Sequence, residues 1–141
     1  MIDRPELWWS SFVGMSLPPS ISSRAAGQAA EDLALTFLQS QGLTLIARNQ
    51  LFRGGELDLI MRDGQQLVFV EVRQRTNARF GGALASVHWQ KQRRIIHASR
   101  CWLLKTGWKM LPACRFDVVG LDANGQISWI NAAFSLTDSQ Y

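Results

Sequence analysis

The segment "GGELDLIMRDGQQLVFVEVRQR", residues 54 to 75, sets Glu56, Asp58 and Glu71 in two apolar runs separated by a turn sequence. Alternating charges on a strand ordinarily mark a solvated face. Ile60, Leu67 and Phe69 count against that here, because strand alternation gives them the same faces as the acids and so seats those faces against a core. Carboxylates gathered at the rim of a core repel one another, and their pKa values rise unless a cation intervenes. A divalent ion with hard oxygen ligands, Mg²⁺ or Mn²⁺, resolves that conflict. The metal reading is preferred to plain structural acids because perturbed groups cluster at functional sites.

The register of the hairpin decides which acids meet. A two-residue loop at Asp63-Gly64 sets Glu56 opposite Glu71, with Asp58 diagonal to it. A four-residue loop over residues 63 to 66 instead sets Asp58 opposite Glu71 and Glu56 opposite Arg73. Either brings two carboxylates within reach of one ion, since directly paired Cβ atoms lie about 4.5–5.5 Å apart. Glu31 is a candidate third acid: on a helical wheel it falls beside Leu35 and Leu38 at the border of an apolar stripe, where it can lean over the sheet edge or stand as an ordinary exposed glutamate.

The elements that must position these residues follow from periodicity. "SRAAGQAAEDLALTFLQSQG", from about Ser23, spaces Ala26, Ala30, Leu33, Phe37 and Leu38 as a helix that Gly42 closes. "LTLIARNQLF", "ELDLIMR" and "LVFVEVR" read as three strands, with turns at Gly54-Gly55 and Asp63-Gly64. After a loop-like stretch through Gly81-Gly82, Ser86 is the expected cap of a second helix running to about Thr106, with Val87, Ile95, Ala98, Trp102 and Leu103 toward the core. "CRFDVVGLD" and "QISWI" complete the set as two strands joined across Asn124-Gly125. Both alternating sets of the central hairpin are largely apolar, so the sheet is covered on both faces, an α/β sandwich. With 141 residues at 47% hydrophobic, the chain suffices for a single core over residues 23–141. Residues 1–22 show no clear periodicity and read as a flexible extension.

Charge is distributed unevenly. From Val72 to Phe116 there are ten basic residues and no acid, a block of +10, while the rest of the chain holds 5 basic and 11 acidic residues, or −6. Such asymmetry suits a polyanionic partner, nucleic acid before an anionic membrane, although a solvated basic face has the same composition. Cys101 and Cys114 have neither a CxxC spacing nor a histidine pair, so a zinc site and a disulfide framework are not indicated; two buried free thiols in a reducing cytoplasm are expected. The apolar stretch from Leu7 to Val13 is too short and broken to read as a signal peptide or a membrane span.

At Glu31, "GELDLI" and "FVEVR" the chain resembles the PD-(D/E)XK nuclease superfamily, and more narrowly the bacterial YraN family of endonuclease-like proteins, related in fold to archaeal Holliday junction resolvases. "FGG" at 80 to 82, Lys91 and "RFDVV" at 115 to 119 extend the likeness, which covers about Gly27 to Phe134. The resemblance implies a restriction-endonuclease-like αβββαβ core with a mixed central sheet flanked by helices. It also implies a Mg²⁺- or Mn²⁺-dependent endonuclease acting on structured or branched DNA, and a homodimer.

On that pattern Asp58 and Glu71 are metal ligands, Glu31 is an outer or water-mediated ligand, and Glu56 is a supporting acid. The superfamily's lysine, two residues after the second acid, maps onto Arg73. A guanidinium stabilises charge on a phosphate but does not serve as a base, so water activation would fall to the metal or to a carboxylate such as Glu56, with Lys91 able to approach the phosphate from the helix. Arg75, Arg79, Lys91, Arg93 and Arg94 are then phosphate contacts flanking the site. Trp89 and His88 could stack on bases, although packing is the expected role of Trp89. Arg115 and Asp117 either form a structural pair or line the cleft. Two other readings stay open: a nucleic-acid-binding protein that kept the fold and lost catalysis at Arg73, and an adaptor whose basic face binds an acidic protein.

Overall fold

The computed structural model describes residues 23–75, 86–110 and 112–135. The proposed extension 1–22, together with Arg79 and the "FGG" stretch, lies outside them, as does the side chain of Arg75. In chain order the elements are α1 (Ser23–Ser40), β1 (Thr44–Phe52), β2 (Gly55–Asp63), β3 (Gln66–Arg75), α2 (Trp89–Lys105), β4 (Cys114–Asp122) and β5 (Ile127–Phe134). The expected order of helix, three strands, helix and two strands is borne out, its αβββαβ core closed by β5 at the edge.

The five strands form one sheet in the order β1-β2-β3-β4-β5. Only the β3–β4 pairing is parallel, as a connection through a helix requires; the other three are antiparallel. A core lies on each face. Ala30, Ala34, Phe37 and Leu38 of α1, at helical spacing, cover Leu59, Met61, Val68, Val70, Val119 and Leu121. On the other face Ile95, Ile96, Ala98, Trp102 and Leu103 of α2 cover Ile60, Leu67, Phe69, Phe116 and Val118. Phe69, Phe116 and Phe134 stack across three strands at centroid separations of 5.4 and 5.0 Å, and Trp102 meets Phe69 edge-on.

The helix ends follow local chemistry in part. Gly42, at φ +97°, takes the left-handed position after α1, and the Leu43 amide returns to the Leu38 carbonyl. At α2 the expectation is corrected: the cap position is His88, with no side-chain cap hydrogen bond, and the Ser86 hydroxyl instead accepts from Arg73 Nε at 3.0 Å. The cysteines are free but only partly buried, which corrects the expectation of two buried thiols.

Arg115 and Asp117 form the structural pair. Asp117, fully buried, accepts from Arg115 Nε (3.0 Å), Trp129 Nε1 (3.0 Å) and the Ala132 amide (2.9 Å), which satisfies both of its oxygens. Arg115 also donates to Asp63 (2.9 Å) and Gln66 (3.1 Å), tying the β2–β3 turn to β4.

Above β2 the close approach of α2 depends on a missing side chain. A Cβ added at Gly55 would lie 2.4 Å from the Arg94 carbonyl oxygen, a backbone atom of α2, whereas one at Gly27 of α1 would meet nothing within 4 Å. The two glycines should therefore respond to alanine with opposite signs in urea denaturation. Gly55→Ala should lose on the order of 1–3 kcal/mol through overpacking, and Gly27→Ala should gain about 0.5–1 kcal/mol from helix propensity. Equal effects would mean that α2 can lift from the sheet freely.

Candidate functional site

The β2–β3 hairpin turns through Gly64-Gln65, with Asp63 opposite Gln66 and Leu59 opposite Val70. That is the second of the two registers read from sequence, the one that sets Asp58 against Glu71. Beyond Leu59 and Val70 the ladder stops, and the Val72 amide bonds the Asp58 Oδ2 carboxylate oxygen at 2.9 Å. The strands splay where the acids sit.

The splay has a partner in β1. Pairing runs from Arg48 with Leu59 to Gln50 with Leu57, leaving Asn49 across from Asp58, and Asn49 is at φ +51°, a conformation asparagine tolerates better than most residues. Side-chain alternation inverts at this point. Leu57 packs in the α2 cluster together with Ile60, while Leu59 and Met61 pack under α1, and the position of Gly55 faces α2. This corrects the expectation that Glu56, Asp58 and Ile60 share one face, which assumed an unbroken pleat. β3 does keep its alternation, so Glu71 follows Leu67 and Phe69 on the α2 side.

Asp58 and Glu71 converge. Glu71 is 3% exposed, and each carboxyl is close enough to bear on the protonation of the other. Burial first, then the Asp58 charge, push Glu71 up to about 8, against the pull of Lys91 and Arg73. Asp58 is also raised by burial, with the Val72 amide opposing. Lys91 Nζ stands 3.5 Å and Arg73 Nη1 3.4 Å from Glu71 Oε2, both longer than the roughly 2.7–2.9 Å of a tight charge-assisted bond. These cations steady Glu71 without sealing it.

The acids open into a cleft of about 140 Å³ lined by residues of α1, β2, β3 and α2, among them Glu31, Glu56, Arg73 and Lys91. At a liquid share of about 30 Å³ per water, it has room for roughly four. Glu56 is exposed at its mouth, near enough for its charge to raise Asp58. Glu31 is turned to β1: its carboxylate lies 3.5 Å from Arg48 Nη2, and the Asn49 amide nitrogen donates to both of its oxygens at 2.8 and 3.2 Å. Burial, followed by the Asp58 charge, raises Glu31. Among the described residues no group of three or more acids, histidines or cysteines is gathered closely enough to hold a metal ion. Asp58 and Glu71 are the acids brought together, with Glu31 held beside them by Arg48 and Asn49. A pair of hard carboxylates with space for water beside it could hold an oxygen-loving divalent cation.

Of the basic residues, Lys91 is drawn to Glu71, while Arg93 and Arg94 are exposed on α2. Trp89 is corrected from packing to exposure: it is 53% accessible, with the Arg93 guanidinium 5.6 Å from its ring centroid. No helix among the described residues is long and apolar enough to cross a membrane.

Residues 30–121 match the model of a family described as "Uncharacterised protein family UPF0102". The matched span takes in Glu31, Glu56, Asp58, Glu71, Arg73 and Lys91. A UPF0102 protein of Janthinobacterium sp. (strain Marseille) is 48% identical over 117 residues, 83% of this chain and 93% of that relative. Another from Pseudomonas putida (strain W619) is 50% identical over 82% of this chain and 98% of its own length. A third, from Serratia proteamaculans (strain 568), is 49% identical with the same two coverages.

The raised acids dictate a pH dependence. Because Glu71 holds its proton more tightly folded than unfolded, its contribution to stability is complete below about pH 4.5 and is lost as pH rises through about 8. Thermal melts in EDTA should show Tm falling across that window. Glu71→Gln, which keeps the side chain's shape without the charge, should flatten the fall. A Tm profile that Glu71→Gln leaves unchanged would assign the pH dependence to other groups.

Proposed function

The chain belongs to the UPF0102 family, and from the carboxylate cleft just described we propose that this protein is a metal-dependent nuclease hydrolysing phosphodiester bonds in DNA, structured or branched DNA in particular. The observation that carries the reading is the convergence of half-buried Asp58 and buried Glu71 in an open cleft flanked by two cations, an arrangement that costs the fold stability at neutral pH unless positive charge compensates it. Asp58 and Glu71 would hold Mg²⁺ or Mn²⁺, with Glu31 bound through water. When bound, such an ion supplies Lewis acidity toward the phosphate and an acidified water.

The chain's own groups do the rest. Arg73, braced by Ser86 Oγ at 3.0 Å, holds a guanidinium at the cleft where it can bind a phosphate oxygen, but it takes no proton. Lys91 brings a second cation from α2 to the same carboxylate. Glu56, exposed at the mouth, is the free carboxylate available to accept a proton from the attacking water. Arg93 and Arg94 lie on the exposed surface of α2, where phosphates on either side of the cut would be neutralised. A symmetric junction would suit a two-fold pair of such chains.

A second reading, nucleic-acid binding without hydrolysis, draws on Arg73 and Lys91 both being engaged with Glu71. A cleavage panel over four-way junction, flap, duplex and single-stranded DNA with Mg²⁺ or Mn²⁺ separates the two. Hydrolysis predicts metal-dependent cutting that falls at least about a hundredfold in Asp58→Ala and Glu71→Ala, and a divalent-ion rise in Tm at pH 8 that Glu71→Gln loses. Arg73→Lys should preserve or increase cutting. Salt-sensitive gel shifts with no cleavage by either protein would establish the binding reading instead.

A further inference from the structure

The acidic cleft is one end of a longer channel around α2. Lys91 and Glu56 line both the cleft and a neighbouring cavity of about 510 Å³ floored by Gly54 and Gly55. Gly54 and Arg94 line that cavity and a third, of about 400 Å³, whose walls are Trp89, Gln90, Arg93 and His97. The helix period explains the sequence of walls. Lys91 and Arg94 are three residues apart on one stripe, and Trp89 and Arg93, four apart, form the next stripe round the helix. The absence of a side chain at Gly55 brings α2 down onto the β1–β2 turn, so the cavities adjoin the sheet rather than standing off from it.

The composition of this channel is specific. It carries three cations and, among the described residues, a single acid, Glu56, at its junction with the cleft. At its far end stands a tryptophan 53% accessible, held under Arg93 and outside both core clusters. A duplex offers phosphates to such a surface but keeps its bases stacked and paired; an aromatic ring beside cations gains contact only with a base that is already free. We propose that Trp89, Arg93 and Arg94 bind an unpaired segment of nucleic acid, with a base on the Trp89 ring and its flanking phosphates on the two arginines, leading the strand past Lys91 to the acids. This deepens the hydrolytic reading by naming a single-stranded arm as the part of the substrate next to the cut, and it rests on that reading for the destination of the strand.

The test is fluorescence anisotropy of the full chain with a labelled 12-nucleotide oligothymidylate and with a blunt 12-base-pair duplex, both in EDTA so that the metal plays no part. Trp89→Ala should weaken the single strand on the order of tenfold and change the duplex less than about twofold, and Trp89→Phe should restore most of the loss. Arg94→Gln should weaken the single strand and make its salt dependence shallower, while Lys109→Gln, beyond the far end of α2, should leave it unchanged. Equal losses on both probes, no loss in Trp89→Ala, or no binding of the oligothymidylate by the parent chain would each overturn the proposal. Selective loss in a protein that cuts nothing with Mg²⁺ or Mn²⁺ would uphold the channel while ending the hydrolytic reading. Cutting that ignores Trp89 on flap and single-stranded substrates would do the reverse.

Discussion

A buried carboxyl, Glu71, beside a half-buried one, Asp58, is the constraint around which this fold is arranged. A charged carboxylate taken out of water has to be paid for by hydrogen bonds or opposite charge, and here the compensating groups come from two elements: the Val72 amide and Arg73 from β3, the latter braced by Ser86 ahead of α2, and Lys91 from α2. The Val72 amide meets Asp58 only where β2 lies beside β3, and Lys91 meets Glu71 only where α2 is seated on the sheet. The environment of the acids therefore depends on both of those contacts.

The end of the sheet that holds the acids is irregular, in addition to the register shifts between Leu45 and Ala47 on β1 and between Phe116 and Val118 on β4, the latter near Ala132 at φ +49°. Asn49 takes a left-handed conformation, the β2 pleat inverts at Asp58, and the β2–β3 ladder ends at Leu59 and Val70. The opposite end is fastened: Arg115 binds Asp63 and Gln66 at the hairpin turn, and Asp117 satisfies Trp129 and Ala132 on β5. Apolar clusters on both faces hold the middle. Strain at one end is tolerable because the surrounding packing over-determines the strands that carry it.

Element order was legible in the sequence because period-2 and period-3.6 patterns are local, and the strand "CRFDVVGLD" and the closing glycine at Gly42 are found where those patterns put them. Hairpin register was not decidable, since Asp63 could equally belong to the loop. It stays in the strand with Arg115 on its carboxylate, a contact 52 residues away in sequence. The break in alternation at Asp58 was hidden for the same reason, its counterpart Asn49 being on another strand. Trp89 was misjudged from its apolar neighbour Val87, because the helix begins between them: Val87 precedes the first turn and enters the core, whereas Trp89, as the first helical residue, is carried to the outside.

Arg73, at the position where the resembled nuclease pattern has a lysine, looks different in three dimensions than in sequence. Lys91 approaches Glu71 from α2 to 3.5 Å, essentially as close as Arg73 at 3.4 Å, so an ammonium is present at the acids although the position two residues after Glu71 does not provide it. The two cations are not equivalent. A guanidinium offers a planar fork fixed here by Ser86, suited to gripping phosphate oxygens, while an ammonium on a flexible stem can follow a ligand as charge moves. Under the hydrolytic reading, the arrangement divides between two elements what one lysine does alone, and it ties the chemistry of the cleft to the seating of α2 over Gly55.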